Sequence, residues 1–267
     1  MPELPEVESA RAVIARAGLG REIVDVDDSD TYVCRPHVPH QIRDALVGRS
    51  LVAAHRRGKS MWCDTGDDGP ELGIHLGMSG KIVIADRDGT EIDGGDYWEG
   101  RRGSGDYRWS RFALTFADGG RLLLVDPRRL GRVRLDPPVD ALGPDAATIT
   151  PAQFRAALAR GTAPVKARLL DQEAVAGIGN LLADQILWSA RINPARPVDR
   201  LSGDDVDRLL RATRRAVRLA IRDGGVHTLE LIPFRHAGGR CPRDGAPMAK
   251  STVGTRTSWW CSKEQAV

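Results

Sequence analysis

A chain of 267 residues, 41% hydrophobic and 28% charged, is long enough for two domains or one large one. No apolar run approaches the roughly 20 residues of a membrane span, and no basic segment followed by an apolar core opens the chain, so a soluble, unexported protein is expected. Four scattered cysteines (Cys34, Cys63, Cys241, Cys261) argue against a disulfide framework and fit a reducing cytoplasm. The net charge of +3 is unevenly held: residues 151–267 carry 19 Lys+Arg against 11 Asp+Glu, residues 1–150 carry 20 against 25. A basic second half suits a polyanionic partner, nucleic acid first, although a solvated charged surface gives the same asymmetry.

The chain starts Met1-Pro2-Glu3-Leu4-Pro5-Glu6. Trimming of Met1 next to a small residue would leave Pro2 with a terminal secondary amine. Such an amine is far less basic than lysine and is nucleophilic near neutral pH; it can attack a sugar or aldehyde carbon and form an iminium. Glu3 beside it is a candidate acid/base. A helical period follows, with Val7, Ala10, Val13 and Ile14 on one face, so residues 3–17 are predicted as a helix that displays the amine at its start. The same residues also suit an ordinary helix beginning, where Pro and Glu are favoured.

From residue 21 to about 135, short apolar runs alternate with glycine-rich turns: Ile23–Val26, Ser50–Ala54, Lys81–Ile84, Phe112–Phe116 and Arg121–Val125. This pattern predicts an antiparallel β-sandwich, with residues 86–107 as a long mobile hairpin. Three turns could carry chemistry or be solvated: His55-Arg56-Arg57-Gly58-Lys59, the glycine loop His75-Leu76-Gly77-Met78-Ser79-Gly80, and the arginine turn Asp126 to Arg132. A Met between glycines suits a wedge better than a core.

Residues 133–150 read as a linker. Helices follow from Thr150-Pro151, over 165–170, over 181–190 after Gly177-Ile178-Gly179-Asn180, and over 202–223. The glycines before 181 would let the backbone approach a phosphate at the helix start. The last helix is capped by Ser202 with Asp205; Val206, Leu209, Leu210, Val217, Ala220 and Ile221 form its buried stripe, with Thr213, and its remaining surface is crowded with arginine. The tail holds Cys241-Pro-Arg-Asp244 and Cys261-Ser-Lys-Glu264, separated by sixteen residues. This is the frame of a zinc ribbon with an acidic residue at the second position of each pair. Zinc on Cys241, Asp244, Cys261 and Glu264 stays open, and the residues favour a metal-free hairpin with Trp259 and Trp260 as its core.

Six stretches occur in one order: PELPEVE at 2–8, RRGK at 56–59, HLGMSG at 75–80, DPRRLG at 126–131, GIGN…AD at 177–184, and the degenerate finger at 241–264. Together they resemble the formamidopyrimidine-DNA glycosylase/endonuclease VIII family of base-excision-repair enzymes. The resemblance implies a two-domain α+β fold. Residues 1–135 form an N-terminal helix with a catalytic antiparallel β-sandwich and 136–150 a linker. Residues 151–225 form a helix-two-turn-helix domain and 234–267 a zinc-finger-like hairpin. It implies a bifunctional DNA glycosylase/AP lyase that flips a damaged base out of duplex DNA. Pro2 would attack C1′, Glu3 would serve as acid/base supported by Glu6, and β- and usually δ-elimination would follow. Lys59 matches a proton-donor or phosphate-contact lysine. Arg256 matches the finger arginine at the flipped nucleotide's phosphate. Met78, Arg128 and Leu130 match the wedge residues, and His75, Lys166 and Asn180 match positions near the phosphates or lesion. The arginine-rich helix 202–223 would add nonspecific phosphate attraction. The expected protein is a cytoplasmic, nucleoid-associated monomer that needs no cofactor for its chemistry.

Departures from the family pattern shape the expectation. Leu130 replaces the usual aromatic wedge, and the segment 225–240 is shorter than the loop that caps 8-oxoguanine. Oxidised pyrimidines, formamidopyrimidines, hydantoins and abasic sites are therefore open as substrates. The worn finger leaves a second reading: a DNA-damage or abasic-site binding protein with weak or lost excision. A protein-interaction scaffold is the third.

Overall fold

A computed structural model describes residues 2–66, 68–95 and 107–266. The chain divides into two compact units. One comprises residues 1–2 and 6–139, the other residues 3–5 and 140–267.

The first unit is built from alternation. Helix α1 (Leu4–Ala17) buries Val7, Ala10, Val13 and Ile14, the stripe that its 3.6-residue period sets. Strand β1 (Ile23–Asp27), helix α2 (Gln41–Leu46) and strands β2 (Ala53–Arg57), β3 (Ser60–Asp64), β4 (Leu72–His75), β5 (Lys81–Ala85), β6 (Glu91–Gly95), β7 (Ser110–Phe116), β8 (Arg121–Val125) and β9 (Arg132–Leu135) follow. They make two antiparallel sheets, one ordered β1-β7-β8-β5-β6 and one ordered β2-β3-β4-β9. Ile82, Ile84, Phe112, Leu114, Phe116, Leu122 and Leu124 from the first share a core with Met61, Cys63, Leu72, Ile74 and Val133 from the second. Val83, Ala113, Leu123 and Val125 lie on the other face of the five-stranded sheet and form their own small cluster, as the two-residue period of a strand requires.

Several sequence expectations shift here. The run expected from Ser50 lies later, as β2, so His55 to Arg57 belong to a strand and the turn is confined to Gly58 and Lys59. The expected hairpin over 86–107 contains strand β6, paired with β5 from Lys81↔Gly95 to Ala85↔Glu91; residues 96–106 of that expectation lie outside the described residues. The linker expected from 133 begins with β9, which pairs with β4.

The second unit is helical: α3 (Pro151–Leu158), α4 (Val165–Leu170), α5 (Asn180–Ala190) and α6 (Gly203–Asp223). A hairpin of β10 (Met248–Val253) and β11 (Arg256–Cys261) completes it. Thr150 and Ser202 cap α3 and α6 with reciprocal side-chain bonds to Gln153 and Asp205, satisfying amides that would otherwise be orphaned. Phe154, Leu169, Leu182, Ile186, Leu209 and Val217 join one core, which also takes in Leu4. The buried stripe of α6 differs from the expected one. Ala212 and Ala216 are buried, whereas Ile221 is 40% exposed. The hairpin is also cored differently. Trp188 of α5 is its buried tryptophan, packed with Leu231, Cys241, Met248 and Cys261; Trp259 contributes partly and Trp260 is outside that cluster. Among the described residues no helix is long and apolar enough to cross a membrane.

Candidate functional site

In the first unit, two loops carry the expected wedge residues, and one buried carboxylate organises both. Asp126, fully buried at the end of β8, accepts from Ser79 Oγ at 2.6 Å in the glycine loop. It also accepts the backbone N–H groups of Leu130 at 2.8 Å and Gly131 at 2.7 Å in the arginine turn. Gly77, at φ 62°, lies so close to the Leu130 backbone that a β-carbon would overlap it. Met78 is half-buried on this support, and Leu130 is 39% exposed. The turn's arginines have separate fates. Arg129 is tied to Asp30 at 2.8 Å; Arg128 is exposed and makes no ion pair among the described residues. Asp126 was not singled out from the sequence, although an Asp before Pro at a turn is a side chain suited to bonding the backbone after it.

Lys59 sits half-buried at the β2–β3 turn, after Gly58 at φ 61°. The neighbouring Arg56 bonds Glu8 of α1 at 2.8 Å, and Arg11 bonds the same carboxylate at 2.6 Å. Burial alone would raise the Glu8 pKa; the two guanidiniums outweigh it and hold the carboxyl below its ordinary value. His75, at the end of β4, reaches the surface, yet its ring is packed in dense, cationic surroundings. Desolvation first, then Lys59 and Arg132, lower its pKa. Its Nδ1 accepts the Gly77 N–H at 3.0 Å, which leaves Nε2 as the protonated donor of a neutral ring.

In the second unit, Glu3 is fully buried at the start of α5. Its carboxylate accepts three backbone N–H groups: Gly179 at 2.9 Å, Leu181 at 2.8 Å and Leu182 at 3.0 Å. These are the amides the sequence offered to a phosphate. The anion they hold is the protein's own, because a buried carboxylate at a helix start satisfies both the orphan donors and the dipole. Gly179 is required there, since a β-carbon would collide with the Glu3 carboxyl. Asn180, the first residue of α5, has a buried Oδ1 without a hydrogen-bond partner among the described residues. Pro2 and Glu6 are both buried.

Lys166 departs from its expected place near the DNA. It is fully buried, and its ammonium donates to Asp184 Oδ1 at 2.6 Å, Ser258 Oγ at 2.8 Å and the Thr257 carbonyl at 2.9 Å. An ammonium has three protons, so none remains for a phosphate. Desolvation lowers the Lys166 pKa, and Asp184 opposes that shift. Asp184, missed from the sequence, also accepts from Arg235 at 2.7 Å and from the Trp259 N–H at 3.1 Å. This buried cluster fastens β11 to α4 and α5. Arg256 stands exposed at the start of β11, beside the turn that Gly254 makes at φ 62°.

The finger residues converge. One donor atom from each of Cys241, Asp244, Cys261 and Glu264 lies within 4.8 Å of the others. Cys241 Sγ receives the Trp188 indole N–H at 3.3 Å, and Cys261 Sγ receives the Glu264 backbone N–H at 3.4 Å. Glu264 is held by Arg243 at 2.6 Å and Arg191 at 3.3 Å. Two sulfurs and two carboxylates at this spacing fit a four-coordinate divalent cation, and N–H donation to sulfur supports the thiolate form.

The two-unit fold, the Pro2-Glu3 start and the loops match known proteins over nearly the full chain. Residues 1–133 match the family model for the formamidopyrimidine-DNA glycosylase N-terminal domain, and residues 141–230 match the one for its H2TH domain. The chain belongs to the formamidopyrimidine-DNA glycosylase family. It is 33% identical to the formamidopyrimidine-DNA glycosylase of Chloroflexus aurantiacus, over 98% of this chain and 96% of that one. It is also 33% identical to the protein of that name from Nocardioides, over 98% and 93%. Among solved structures it resembles Lactococcus lactis Fpg bound to abasic-site DNA, at TM-score 0.81 and 25% identity, covering 99% of this chain and all of that one. The same enzyme bound to DNA containing FAPY-dG matches at TM-score 0.81 and 26% identity, with the same coverage.

Proposed function

We propose that this protein is a base-excision-repair DNA glycosylase with AP lyase activity, acting on duplex DNA that carries damaged bases or abasic sites. The observation that carries the reading is Glu3, a buried carboxylate fixed by three N–H groups at the head of α5 and covalently next to Pro2. A carboxylate so fixed is pre-organised as an acid/base. Pro2, freed of Met1, is the nucleophile: its nitrogen bonds to C1′, and the base leaves with its bonding pair. The resulting iminium acidifies the 2′ proton, whose removal expels the 3′ phosphate. A second elimination expels the 5′ phosphate, for which Arg256 is the assigned phosphate contact. Lys59, His75 and Asn180 are assigned to DNA phosphates or the lesion. Met78, Arg128 and Leu130 are assigned to the gap left by the flipped nucleotide. Lys166 is assigned to positioning the hairpin rather than to DNA.

No cofactor is needed for these steps. We assign the Cys241–Asp244–Cys261–Glu264 cluster to a structural zinc that holds the hairpin's ends together, with no part in the chemistry. The lesion class follows from the segment between α6 and β10. It is short, and it is fixed through the Leu231 N–H to Gln185 Oε1 at 2.9 Å, which favours oxidised pyrimidines, formamidopyrimidines or abasic sites over 8-oxoguanine.

The test is borohydride trapping on a duplex with one abasic site, comparing the wild type with Pro2→Gly and with an N-terminally extended protein. The expected result is a covalent adduct with the wild type alone, followed by excision on a lesion panel. Tight binding without an adduct would favour the damage-binding reading instead.

A further inference from the structure

The second unit carries a groove that the proposed repair chemistry does not use. It has a volume of about 760 Å³ and lies along α6, against the last turns of α5 and the segment after α6. Arg208, Arg211, Arg215 and Arg222 of α6 line it, joined by Arg243. At 3.6 residues per turn the four helix positions fall within an arc of about 60°, so they form a single basic edge. Beside that edge lies an apolar floor of Trp188, Ala212, Ala216, Leu219 and Leu229. The basic edge is not neutralised internally. Arg208 pairs with Asp205 and Arg222 pairs with Asp223, but Arg211 and Arg215 are exposed and make no ion pair among the described residues.

Position separates this groove from the Glu3 site. Glu3 is held at the first turn of α5, whereas Trp188, Ser189 and Ala190 contribute to the groove from the last turn. At 1.5 Å per residue these are about 12 Å apart along the helix. The two features also ask for different ligands. A nucleic-acid backbone seeks an open cationic track; here the cations border an apolar trough, and Glu230 on its wall would repel a continuous phosphate chain.

We propose that this groove docks an acidic, amphipathic peptide segment of a partner protein. Its carboxylates would meet Arg211 and Arg215, and its apolar side chains would rest on Ala212, Ala216 and Leu219. A helix or an extended segment with alternating acidic and apolar residues satisfies both requirements. Such a site would let the protein be recruited while its DNA-facing residues stay available, and it stands independently of the glycosylase reading.

The experiment uses the full-length protein and fluorescence anisotropy. The probe is a labelled acidic peptide of about twelve residues with leucines along one face; its control carries serine in place of each leucine. Binding should be salt-sensitive and should require the leucines. It should weaken about tenfold or more in Arg211→Glu/Arg215→Glu, because two reversed charges turn attraction into repulsion. A peptide with lysine in place of its acidic residues should recover binding to that variant, which also shows that the variant is folded. Saturating abasic-site duplex should leave the peptide bound. Equal binding by the wild type and the variant would overturn the proposal, and so would equal binding by the serine control. Displacement by DNA, or a charge-reversal effect confined to duplex binding, would make α6 a phosphate surface and overturn it too.

Discussion

Glu3 Oε2 accepts the Gly179 N–H at 2.9 Å, across 176 residues of sequence, and no β-carbon fits at Gly179 without striking that carboxyl. The family motif at 177–180 therefore has a physical reason in this chain: one glycine makes room for the acid/base. Gly179→Ala should push the carboxylate out of its three-donor seat. A displacement near 1 Å in a catalytic group costs about 100-fold in rate, so single-turnover excision should fall by about that factor. Affinity for an abasic-site duplex should change little. Excision and affinity falling together would mean that Gly179 serves the DNA surface rather than Glu3.

Asp126 plays the corresponding part for the wedge loops. Asp126→Asn would place an amide among donors that now share two carboxylate oxygens, leaving Leu130 or Gly131 N–H without an acceptor. An unsatisfied buried donor costs about 1–3 kcal/mol, and thermal unfolding should show a loss of that size. The loops that hold Met78 and Leu130 would loosen with it. A fluorescent base analogue opposite an abasic site should then report poorer insertion even at saturating protein. Unchanged insertion in Asp126→Asn would separate the carboxylate from the wedge.

Lys166 discriminates between a phosphate contact and a buried strut. Lys166→Met removes one partner of a buried pair and leaves Asp184 with Arg235 alone. Breaking such a pair costs about 3–5 kcal/mol, measurable by denaturant unfolding. The salt dependence of DNA binding should keep its slope, whereas loss of a phosphate contact would lower that slope by about 1. A lowered slope with unchanged stability would return Lys166 to the DNA surface.

These sites also show what the sequence could and could not display. The catalytic start and the motif loops are local, made from consecutive Pro, Gly, Arg and Glu, and they were legible. The five-stranded sheet was legible too where its runs are apolar, as in Arg121–Val125 and Phe112–Phe116. The four-stranded sheet was mostly not. Strand β9 reads Arg-Val-Arg-Leu and buries only Val133, so its strand character comes from pairing with β4. Helix α2 is six residues long and starts at His40 with a positive φ. Its amides are capped by Asp28, whose Oδ2 takes the Ile42 N–H at 3.0 Å from fourteen residues upstream. The burial of Lys166 was invisible because its partners lie 18, 91 and 92 residues away.

The Glu8 carboxyl gives the first unit an acid-sensitive contact. Its pKa in the fold lies below its ordinary value of 4.5 because Arg11 and Arg56 prevail over burial. The folded state therefore holds fewer protons than the unfolded one in that range, and stability rises with pH there. The contribution is fully present above 4.5 and is lost as pH falls through the lowered folded value. Glu8→Gln should cost about 1–2 kcal/mol at neutral pH, the range for hydrogen bonds to charged groups. The gap between wild type and variant should close as the pH is taken below 4. A gap that persists in acid would assign the loss to packing instead.

The finger makes the last prediction. Its four donors bring two thiols and two carboxylates within 4.8 Å of one another, and four gathered anions repel unless a cation joins them. Arg243 and Arg191 offset the charge of Glu264 only, so the remaining anions favour a divalent metal. Elemental analysis of purified protein should find one zinc per chain. Chelation should lower the thermal transition by about 5 °C or more, as expected when binding free energy is folding free energy. Asp244→Asn and Cys261→Ser should each lose zinc and lose the response to chelator. Arg256 lies on β11 with Cys261, so the metal-free protein should also bind abasic-site duplex less tightly while the Glu3 seat in α5 stays intact. Metal-free protein that melts with and without chelator at one temperature would show that Trp188, Leu231 and Met248 hold the hairpin without an ion.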